Sequence, residues 1–398
     1  MLTKEENDLL TRTGPGTPCG DFMRRYWQPV ALAEELEPDG PPVAARLLGE
    51  DLVVYRDLQG RLGVLGRWCS HRGTDLRYGS VEEAGLRCGY HGWLYNHAGR
   101  CLEQPLEPPD STLKDEIQHK AYPCQEHAGI IFAYLGPGEP PLMPSYEFFQ
   151  VPESQRRCTK YVQECNYLQG AEGSVDPVQL IALRRILSRT QSTELADEHL
   201  EDEVAVEPEE TEFGIRLVSS WQESPAAISH EVRSFMLPSL CCVPGVGIDG
   251  FSVHWHVPMD DTHHWRFVIA FRRDGDLSDE DARRNGVERT NDYRVDHSAI
   301  AQYLHEQNES MPEPNIIAWT TMLAESQGAI YDRTQENLAG SDRGIVAMRS
   351  VVYGAIQDVR EGADPPHVVR DPAANRFPGI DAREHAIPAG DDGQPVGA

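Results

Sequence analysis

The sequence predicts an α+β protein in which an all-β region comes first and a region of strands and helices follows. Residues 40–135 contain short, β-branched strand patterns, with Gly60 and Gly63 close to a predicted hairpin turn. A Gly/Pro cluster near residue 140 marks a domain boundary. Further strand patterns follow at 213–221, 229–240, 250–258 and 264–272, and helical patterns at 278–306 and 322–357. With 398 residues the chain is long enough for two domains.

Composition and charge exclude several kinds of partner. The chain has 36 Lys and Arg against 64 Asp and Glu, a formal net charge of −28. Nucleic acids and anionic membranes require a basic face, so we expect neither as a partner. No apolar run approaches the roughly 20 residues of a membrane span, and the N-terminus MLTKEENDLL lacks a secretory-signal pattern. Nine cysteines without a dense framework fit a reducing compartment, and we expect a cytoplasmic protein.

Two short Cys/His motifs give the most specific chemical pattern. Cys69 and His71 form the first motif, and Cys88 and His91 form the second after sixteen intervening residues. Each motif supplies one thiolate and one imidazole, whereas a Cys2His2 zinc finger pairs cysteine with cysteine and histidine with histidine. The mixed pairing is typical of a [2Fe–2S] cluster in which two cysteines hold one iron and two histidines the other. The sequence therefore predicts one such cluster, with an unusual zinc site as the alternative.

The residues around both motifs suit a cluster. Gly73, Gly89 and Gly92 let the backbone approach the sulfides closely because glycine has no Cβ. Tyr90 and Trp93 are placed to shield the cluster from water. A centre of this kind accepts one electron from a reductase and passes it on.

The stretch RWCSHRGTDLRYGSVEEAGLRCGYHGWLYNHAGRC resembles the Rieske domain of ring-hydroxylating oxygenases. The resemblance is greatest to the phthalate-dioxygenase-like group, whose members act mainly on aromatic acids and ethers. It continues through EQPLEPP, AYPCQEHAGIIFAYLGP, CNYLQGAEGSVDP and ESQGAIYDRTQENLAGSDRGIVAMR, and thus reaches about residue 357. It implies the large (alpha) subunit of a Rieske non-heme iron oxygenase.

The resemblance also implies a domain organisation. Residues 1–145 would form an N-terminal segment and the all-β Rieske [2Fe–2S] domain, and residues 146–362 an oxygenase-like C-terminal domain. The second domain is expected to be a curved antiparallel sheet with helices, the helix-grip or START-like fold. Residues 363–398 would form an extended or disordered tail. Family members usually assemble as trimers, in which each cluster hands electrons to the mononuclear iron of a neighbouring subunit.

The resemblance places three ligands of that iron, two histidines and a carboxylate, at positions that are all changed here. Gln179 and Arg184 stand at the histidine positions, and Thr320 stands at the carboxylate position. Glutamine offers a weak neutral oxygen, arginine has no lone pair for a metal, and threonine is a neutral hydroxyl. A ferrous triad needs neutral imidazoles and a carboxylate. We therefore expect mononuclear Fe(II) to be absent and only the Rieske cluster to be bound.

One acid of this region is kept, and some alternatives remain open. Asp176 stands where the family has an acid that links a neighbour's cluster histidine to the iron, and it also predicts an N-cap before a proline-initiated helix. Arg184 is expected either to pair with Asp176 or Glu172 or to point to solvent. His254 and His256 would face the same side of a strand, where we favour a structural role over a substitute metal site.

Three functions are compatible with this pattern. The first is the Rieske subunit of an aromatic ring-hydroxylating or demethylating oxygenase system. It would relay electrons from a ferredoxin or flavin reductase to a triad-complete oxygenase paralogue within a hetero-trimer or hexamer. The second is a self-sufficient Rieske oxygenase with unusual iron ligands, and the third is a stand-alone Rieske redox or sensor protein. We favour the first because the cluster motifs and Asp176 are kept while the iron ligands are lost.

Overall fold

The fold was analysed in a computed structural model of the chain. The structure describes residues 1–37, 39–183, 204–224, 227–245, 249–284, 298, 316–376 and 379–388. Arg184 lies outside these ranges, so the predicted partners of its guanidinium stay predictions. None of the described helices combines the length and apolar character that crossing a membrane requires.

Two short helices begin the chain, α1 (Lys4–Thr11) and α2 (Pro18–Met23). Each follows a threonine whose side-chain oxygen accepts a hydrogen bond from a backbone N–H of the first turn, Thr3 before α1 and Thr17 before α2. These caps satisfy N–H groups that have no partner within the helix. Helix α2 also begins with proline, whose fixed φ suits the first helical position.

The N-terminal half contains three small antiparallel sheets, as the strand pattern at 40–135 predicts. The first has the order β1 (Trp27–Leu32), β11 (Ile130–Tyr134), β10 (Cys124–His127). The second has the order β2 (Val43–Leu47), β3 (Glu50–Arg56), β4 (Leu62–Gly66), β9 (Ala121–Tyr122). The third has the order β5 (Ser80–Glu82), β6 (Gly85–Arg87), β7 (Leu94–Tyr95), β8 (Cys101–Glu103).

The C-terminal half is built on one eight-stranded antiparallel sheet, which confirms the predicted α+β class. Its order is β12 (Arg156–Gln163), β18 (His264–Phe271), β17 (Phe251–Pro258), β16 (Leu240–Pro244), β15 (Ala227–Met236), β14 (Gly214–Ser224), β13 (Ala205–Thr211). The eighth strand, β19 (Arg383–Pro388), pairs with β15. Strand β17 is buried along its whole length. The predicted strand segments between 213 and 272 correspond to β14–β18.

Seven further helices lie in the described residues. They are α3 (Leu113–Glu116), α4 (Glu147–Gln150), α5 (Tyr167–Val175), α6 (178–183), α7 (Asp279–Arg284), α8 (Ile316–Ser326) and α9 (Arg343–Arg360). Helix α5 packs on β16–β18 and contacts both α8 and α9. The predicted helix over 322–357 is wrong as a single element. Gly328, with φ of +89°, takes the chain out of α8, and a loop separates α8 from α9.

The hydrophobic cores do not follow the predicted boundary at residue 145. The loops and strands around the Cys/His motifs have a small core of their own, which includes Tyr55, Leu86 and Trp93. The sheet β1–β11–β10 instead shares the large core of the C-terminal half, where the rings of Phe132 and Trp255 lie 5.4 Å apart. The region around the Cys/His motifs therefore has its own hydrophobic core, which is separate from the large core of the molecule.

The predicted extended or disordered tail needs correction for the described residues 363–376 and 379–388. Ile380 and Ala382 are buried in the large core, and the Leu142 N–H donates to the Val369 carbonyl at 2.8 Å. Strand β16 covers only one end of β15, and β19 pairs with the other end. Burial of apolar side chains and pairing of an open strand edge thus order a segment whose Pro/Gly-rich composition suggested the opposite.

A buried cluster of charges fixes α5 against its neighbours. Glu172 of α5 accepts hydrogen bonds at 2.7 Å from Arg333, in the loop before α9, and at 2.7 Å from Arg349 of α9. Arg349 also binds Glu336 at 2.6 Å, and Arg333 donates to Asn7 of α1 at 3.2 Å. Burial raises the pKa of the Glu172 carboxyl, but the two arginines outweigh this effect and hold it below its ordinary value. One carboxylate thus connects three helices and a loop.

We expect Glu172→Gln to destabilise the protein strongly, because it leaves two buried guanidinium groups without their shared counter-ion. The free energy of unfolding should fall by roughly 3–5 kcal/mol, the usual cost of breaking a buried ion pair. Urea unfolding followed by circular dichroism measures it. The matched control is Glu209→Gln, which removes an exposed partner of Arg216 and should cost less than about 1 kcal/mol. Equal losses in the two variants would contradict the structural role of Glu172.

Candidate functional site

The four predicted cluster ligands lie on two loops with the same backbone geometry. The first loop joins β4 to β5, and the second joins β6 to β7. In each loop, the backbone carbonyl of the cysteine accepts a hydrogen bond from the backbone N–H of a glycine four residues later. The Gly73 N–H donates to Cys69 at 2.8 Å, and the Gly92 N–H donates to Cys88 at 3.1 Å. Both glycines have positive φ, 70° and 76°, a conformation that strongly favours glycine. The sequence-based reason for both glycines, the close approach of the backbone to the sulfides, is a different one and stays a prediction.

The side chains of the two loops meet with the thiols inside and the imidazoles outside. Cys69 and Cys88 are each only 3% exposed, whereas the His71 and His91 rings are half-buried and their centroids lie 4.6 Å apart. The His71 ring stacks on Trp93 at 4.5 Å. Within the described ranges, no three or more His, Cys, Asp or Glu side chains form a group that could hold one metal ion. The thiol of Cys69 lies against that of Cys88 and the ring of His71 against that of His91, a pairing that suits a cluster with one iron held by two cysteines and the other by two histidines.

Hydrogen bonds from the backbone act on the second thiol. Burial raises the pKa of Cys88 above the ordinary value of a thiol, and the Cys69 group adds to the rise. The amides of Tyr90 and His91 act in the opposite direction because they hydrogen-bond to its sulfur. These amides therefore favour the thiolate, which is the form that binds a metal.

A second layer of side chains fixes the first loop, and sequence reasoning missed it. The Tyr95 hydroxyl lies 3.2 Å from Cys69 Sγ. Ser70 Oγ lies 2.7 Å from His119 Nδ1, and His119 Nε2 lies 2.7 Å from the Gly66 carbonyl oxygen. Because a carbonyl only accepts, Nε2 carries the hydrogen and Nδ1 accepts from Ser70. Burial lowers the pKa of His119, so the ring is neutral. No spacing in the sequence connects His119 to the motifs.

Trp93 and Tyr90, the two aromatic residues predicted to shield the cluster from water, lie in different surroundings. Trp93 is buried and covers one face of His71. Tyr90 is 57% exposed, and its ring lies 3.8 Å from the ring of His91. The site is therefore dry on its inner side and close to the surface at its histidines, the arrangement that electron exchange with another protein requires.

Asp176 lies at the break between α5 and α6. Its Oδ1 accepts a hydrogen bond from the Val178 N–H at 2.8 Å, as the predicted N-cap requires. Arg233 Nη1 donates to the carbonyl oxygens of Ser174 and Asp176, at 2.9 and 2.8 Å, and so ties both sides of the break to β15. Burial raises the pKa of the Asp176 carboxyl, while the Val178 amide and Arg233 oppose that rise.

The positions at which the resemblance places the iron ligands do not form a donor set for a metal. Gln179 Oε1 is buried and has no hydrogen-bond partner in the part of the chain that the structure describes. Thr320, on α8, donates its hydroxyl hydrogen to the Ile317 carbonyl at 3.1 Å and accepts from Arg266 at 3.4 Å. Neither residue supplies an anionic ligand. The two of these positions that the structure describes, Gln179 and Thr320, do not fit a mononuclear ferrous ion.

Arg266, on β18, is a residue that sequence reasoning did not single out. Its guanidinium is buried between Thr320 and His254, and Nη2 donates to His254 Nδ1 at 2.5 Å. The remaining nitrogen of His254, Nε2, lies 3.3 Å from Ser252 Oγ. Ser174 Oγ lies 3.4 Å from His254 Nδ1, so three polar neighbours hold His254, and Arg266 contacts one nitrogen that a metal would need.

The other buried histidines form a hydrogen-bonded chain. His264 Nδ1 donates to the Cys165 carbonyl at 2.8 Å, and its Nε2 lies 3.0 Å from His256 Nδ1 and 2.9 Å from Gln163 Oε1. His256 Nε2 in turn lies 2.9 Å from Ser174 Oγ, which also contacts His254 from the same side. Burial lowers the pKa of all three rings, that of His264 to about 3. Neutral, mutually bonded rings support the structural role predicted for His254 and His256.

Comparison with known proteins identifies both halves of the chain. Residues 26–123 match the Rieske [2Fe-2S] domain, and residues 133–376 match the family described as LigXa C-terminal domain like. The 5,5'-dehydrodivanillate O-demethylase oxygenase subunit of Sphingobium sp. (strain NBRC 103272 / SYK-6) is 34% identical over 94% of this chain and 85% of its own. The phthalate 4,5-dioxygenase oxygenase subunit of Pseudomonas putida is 32% identical over 91% and 88%.

Solved structures show the same fold. A complex of the carbazole 1,9a-dioxygenase oxygenase with its ferredoxin contains a chain with a TM-score of 0.60 and 20% identity, covering 92% of this chain and 99% of that one. NdmA of Pseudomonas putida CBB5 has a TM-score of 0.57 and 21% identity, covering 86% and 94%. At these identities the likeness concerns the fold alone.

We expect Tyr95→Phe to lower the reduction potential of the bound cluster. A cluster-bound thiolate carries no hydrogen, so Tyr95 must donate, and hydrogen bonds to sulfur raise the potential of such centres. A net 0.5–1.5 kcal/mol for one hydrogen bond corresponds to a decrease of roughly 20–60 mV for one electron. Redox titration followed by electron paramagnetic resonance measures it. Tyr353→Phe, on the exposed face of α9, is the control, and an unchanged potential in Tyr95→Phe would refute the donor role.

Proposed function

Because the chain belongs to the family of Rieske oxygenase subunits of aromatic ring-hydroxylating and demethylating systems, we propose that it is their electron-relaying member without a mononuclear iron. It takes electrons from a ferredoxin or flavin reductase onto its [2Fe–2S] cluster. It passes them to the mononuclear iron of a triad-complete oxygenase paralogue in a shared hetero-oligomer. It performs no oxygenation by itself.

The observation that carries this proposal is the contrast between the two sites. At the first, two buried thiols and two half-buried imidazoles lie together on glycine-turned loops. At the second, Thr320 stands at the carboxylate position and accepts a hydrogen bond from a buried arginine. A protein that had lost its whole activity would have no reason to keep the first site intact. The retained site therefore favours a continuing electron-transfer role.

The residues of the first site fit a Rieske cluster. Cys69 and Cys88 would hold the inner iron, and His71 and His91 would hold the outer iron. When bound, the cluster supplies reversible storage of one electron. The chain itself keeps the thiols dry, holds the first loop through Ser70 and leaves the histidine edge near the surface.

Partners are inferred from relatives. A solved neighbour is an oxygenase in complex with its ferredoxin, which supports a ferredoxin or a reductase as electron donor. The triad-complete paralogue is required by the chemistry, since an electron that reaches the cluster needs an iron at which oxygen is activated. The names of two relatives, an O-demethylase and a phthalate dioxygenase subunit, support an aromatic substrate for the assembled system. A cytoplasmic location stays a prediction.

Two other functions are distinguished by metal content and by partners. A self-sufficient oxygenase would carry a third iron and act with a reductase alone. A stand-alone redox or sensor protein would carry the cluster but bind no oxygenase paralogue. Neither is favoured by a specific contact, because Gln179 and Thr320 offer no ligand set and the buried histidines already bond to one another.

We expect the purified chain to carry two irons and two labile sulfides per polypeptide, with a Rieske-type electron paramagnetic resonance signal. His71→Cys should keep an iron–sulfur centre but shift its potential to a more negative value, because a thiolate replaces a neutral imidazole. Metal analysis, sulfide assay and redox titration measure these quantities. Stoichiometric zinc without sulfide would exclude the cluster. A third iron together with hydroxylation of an aromatic acid by the chain alone would exclude the proposed role.

We expect Asp176→Asn to slow electron transfer in the assembled oxygenase by about tenfold or more while cluster content stays the same. The asparagine oxygen can still accept from the Val178 amide, so the variant removes the charge and keeps the helix cap. Hydrogen bonds to charged groups are worth about 1.5–3 kcal/mol, and 1.36 kcal/mol is tenfold in rate.

Single-turnover reoxidation of the reduced cluster in the complex with the paralogue measures this effect. Asp274→Asn, in an exposed turn after β18, is the matched control. Equal reoxidation rates in the wild type and in Asp176→Asn would show that Asp176 only caps a helix.

A further inference from the structure

Arg266, on β18 of the C-terminal half, is a buried cation that has no carboxylate partner among the described residues. It is 3% exposed, and the hydrogen-bond partners of its guanidinium, His254 and Thr320, are neutral groups. The Tyr161 ring lies 5.6 Å from the guanidinium carbon. Within the described residues no acidic side chain pairs with Arg266, and its buried Nε has no hydrogen-bond partner. The Arg266 guanidinium thus lies inside the protein with one of its N–H donors, that of Nε, not used in a hydrogen bond.

The other buried arginines of the described chain show how exceptional this is. Each of them has a carboxylate partner, and the pairs are Arg24 with Glu50, Arg233 with Glu231, Arg333 with Glu172, and Arg349 with both Glu172 and Glu336. Burying a charge without a partner is costly, because the lost hydration is not replaced. Among the buried arginines of the described residues, Arg266 is therefore the one whose guanidinium has no carboxylate partner.

Arg266 contacts a position at which the family resemblance places a metal ligand. Thr320 occupies the carboxylate position of the iron triad, and its hydroxyl oxygen accepts from Arg266 Nη1. We propose that Arg266 is a fixed internal cation that replaces the divalent ion, and that this centre accepts a carboxylate instead of a metal. The proposal rests on the proposed absence of the mononuclear iron and adds the group that takes over its positive charge.

The local charges determine which anion fits. Arg233 is neutralised by Glu231, to which it is hydrogen-bonded. The buried rings of His254 and His256 are neutral, so the guanidinium leaves one uncompensated positive charge. A monoanion balances one charge, whereas a phosphate dianion would leave a net negative charge. The planar guanidinium also matches the two oxygens of a carboxylate.

The same contacts exclude a divalent cation. A guanidinium repels a metal ion, and this repulsion is weakly screened in the protein interior. His254 Nδ1, a nitrogen that a metal ion would need as a ligand, already accepts a hydrogen bond from the Arg266 guanidinium at 2.5 Å. Restoring a carboxylate at position 320 would therefore create an ion pair with Arg266 before it created a metal site.

Thr320→Asp tests this directly, because it supplies the carboxylate within the chain. We expect Thr320→Asp to be more stable than the neutral, nearly isosteric Thr320→Asn, with an unfolding equilibrium constant smaller by about tenfold. In an Arg266→Met background the order should reverse, since the new carboxylate is then half-buried without a partner. Chemical unfolding of the four variants gives the coupling between the two positions.

Two results would overturn the proposal. One is that Thr320→Asp is no more stable than Thr320→Asn when Arg266 is present. The other is that Thr320→Asp takes up stoichiometric Fe(II) or Mn(II) with Arg266 in place. These measurements do not depend on the iron content of the wild-type chain. That iron content is the separate test of the proposed function.

A second measurement applies if an aspartate variant fails to fold. We expect sodium formate to raise the melting temperature of the wild-type protein above that in sodium chloride of equal ionic strength. Arg266→Gln should abolish the difference, whereas Arg216→Gln, which changes a half-buried arginine on β14 that is paired with Glu209, should not. Equal melting temperatures of the wild type in formate and chloride would count against a carboxylate site.

Discussion

The organisation of the C-terminal half depends on one buried carboxylate, that of Glu172. Because Glu172 binds both Arg333 and Arg349, it holds α5 to α9 and to the loop before α9. Helix α5 also reaches α8, since Gln169 donates to the carbonyl oxygens of Ala324 and Gly328 at 3.2 and 2.9 Å. The end of α5, where Asp176 caps the next helix, is thereby fixed relative to the sheet. None of the hydrogen bonds of this framework involves Gln179 or Thr320, so the framework does not depend on which residues occupy those two positions.

The two candidate sites are held in place by different means. The cluster loops are shaped by backbone hydrogen bonds between a cysteine carbonyl and a glycine amide, which depend on positive φ rather than on neighbouring side chains. The polar centre of the C-terminal half is instead made by side chains of β17, β18, α5 and α8 that meet across long sequence separations. Because side chains alone form this centre, a few substitutions can replace metal ligands with residues that bind no metal. In the cluster loops, by contrast, the backbone conformation restricts which residue can stand at each position.

This difference explains what could be predicted from the sequence. Cys69, His71, Cys88 and His91 were found because their spacing is local, and the strands of the sheet were found because their patterns are local as well. The Asp176 cap followed from the Asp-Pro pair for the same reason. Arg266 was missed because its partners depend on the register of β17 and β18, in which His256 lies opposite Arg266, and on the placement of α8. The ordered tail was missed because its strand pairs with an edge of β15 that only the folded sheet exposes.

The electrostatics of the two sites support a division of labour between chains. At the first site two buried thiols and two imidazoles suit a cluster whose charge changes by one electron. At the second site a guanidinium carries a charge that no reaction changes, because arginine stays protonated at any working pH. In the proposed function, an electron that reaches the first site therefore has no acceptor among the described residues of the C-terminal half. Transfer to another polypeptide becomes the productive route, and the histidine edge beside the exposed Tyr90 is the part of the cluster site that lies nearest to such a partner.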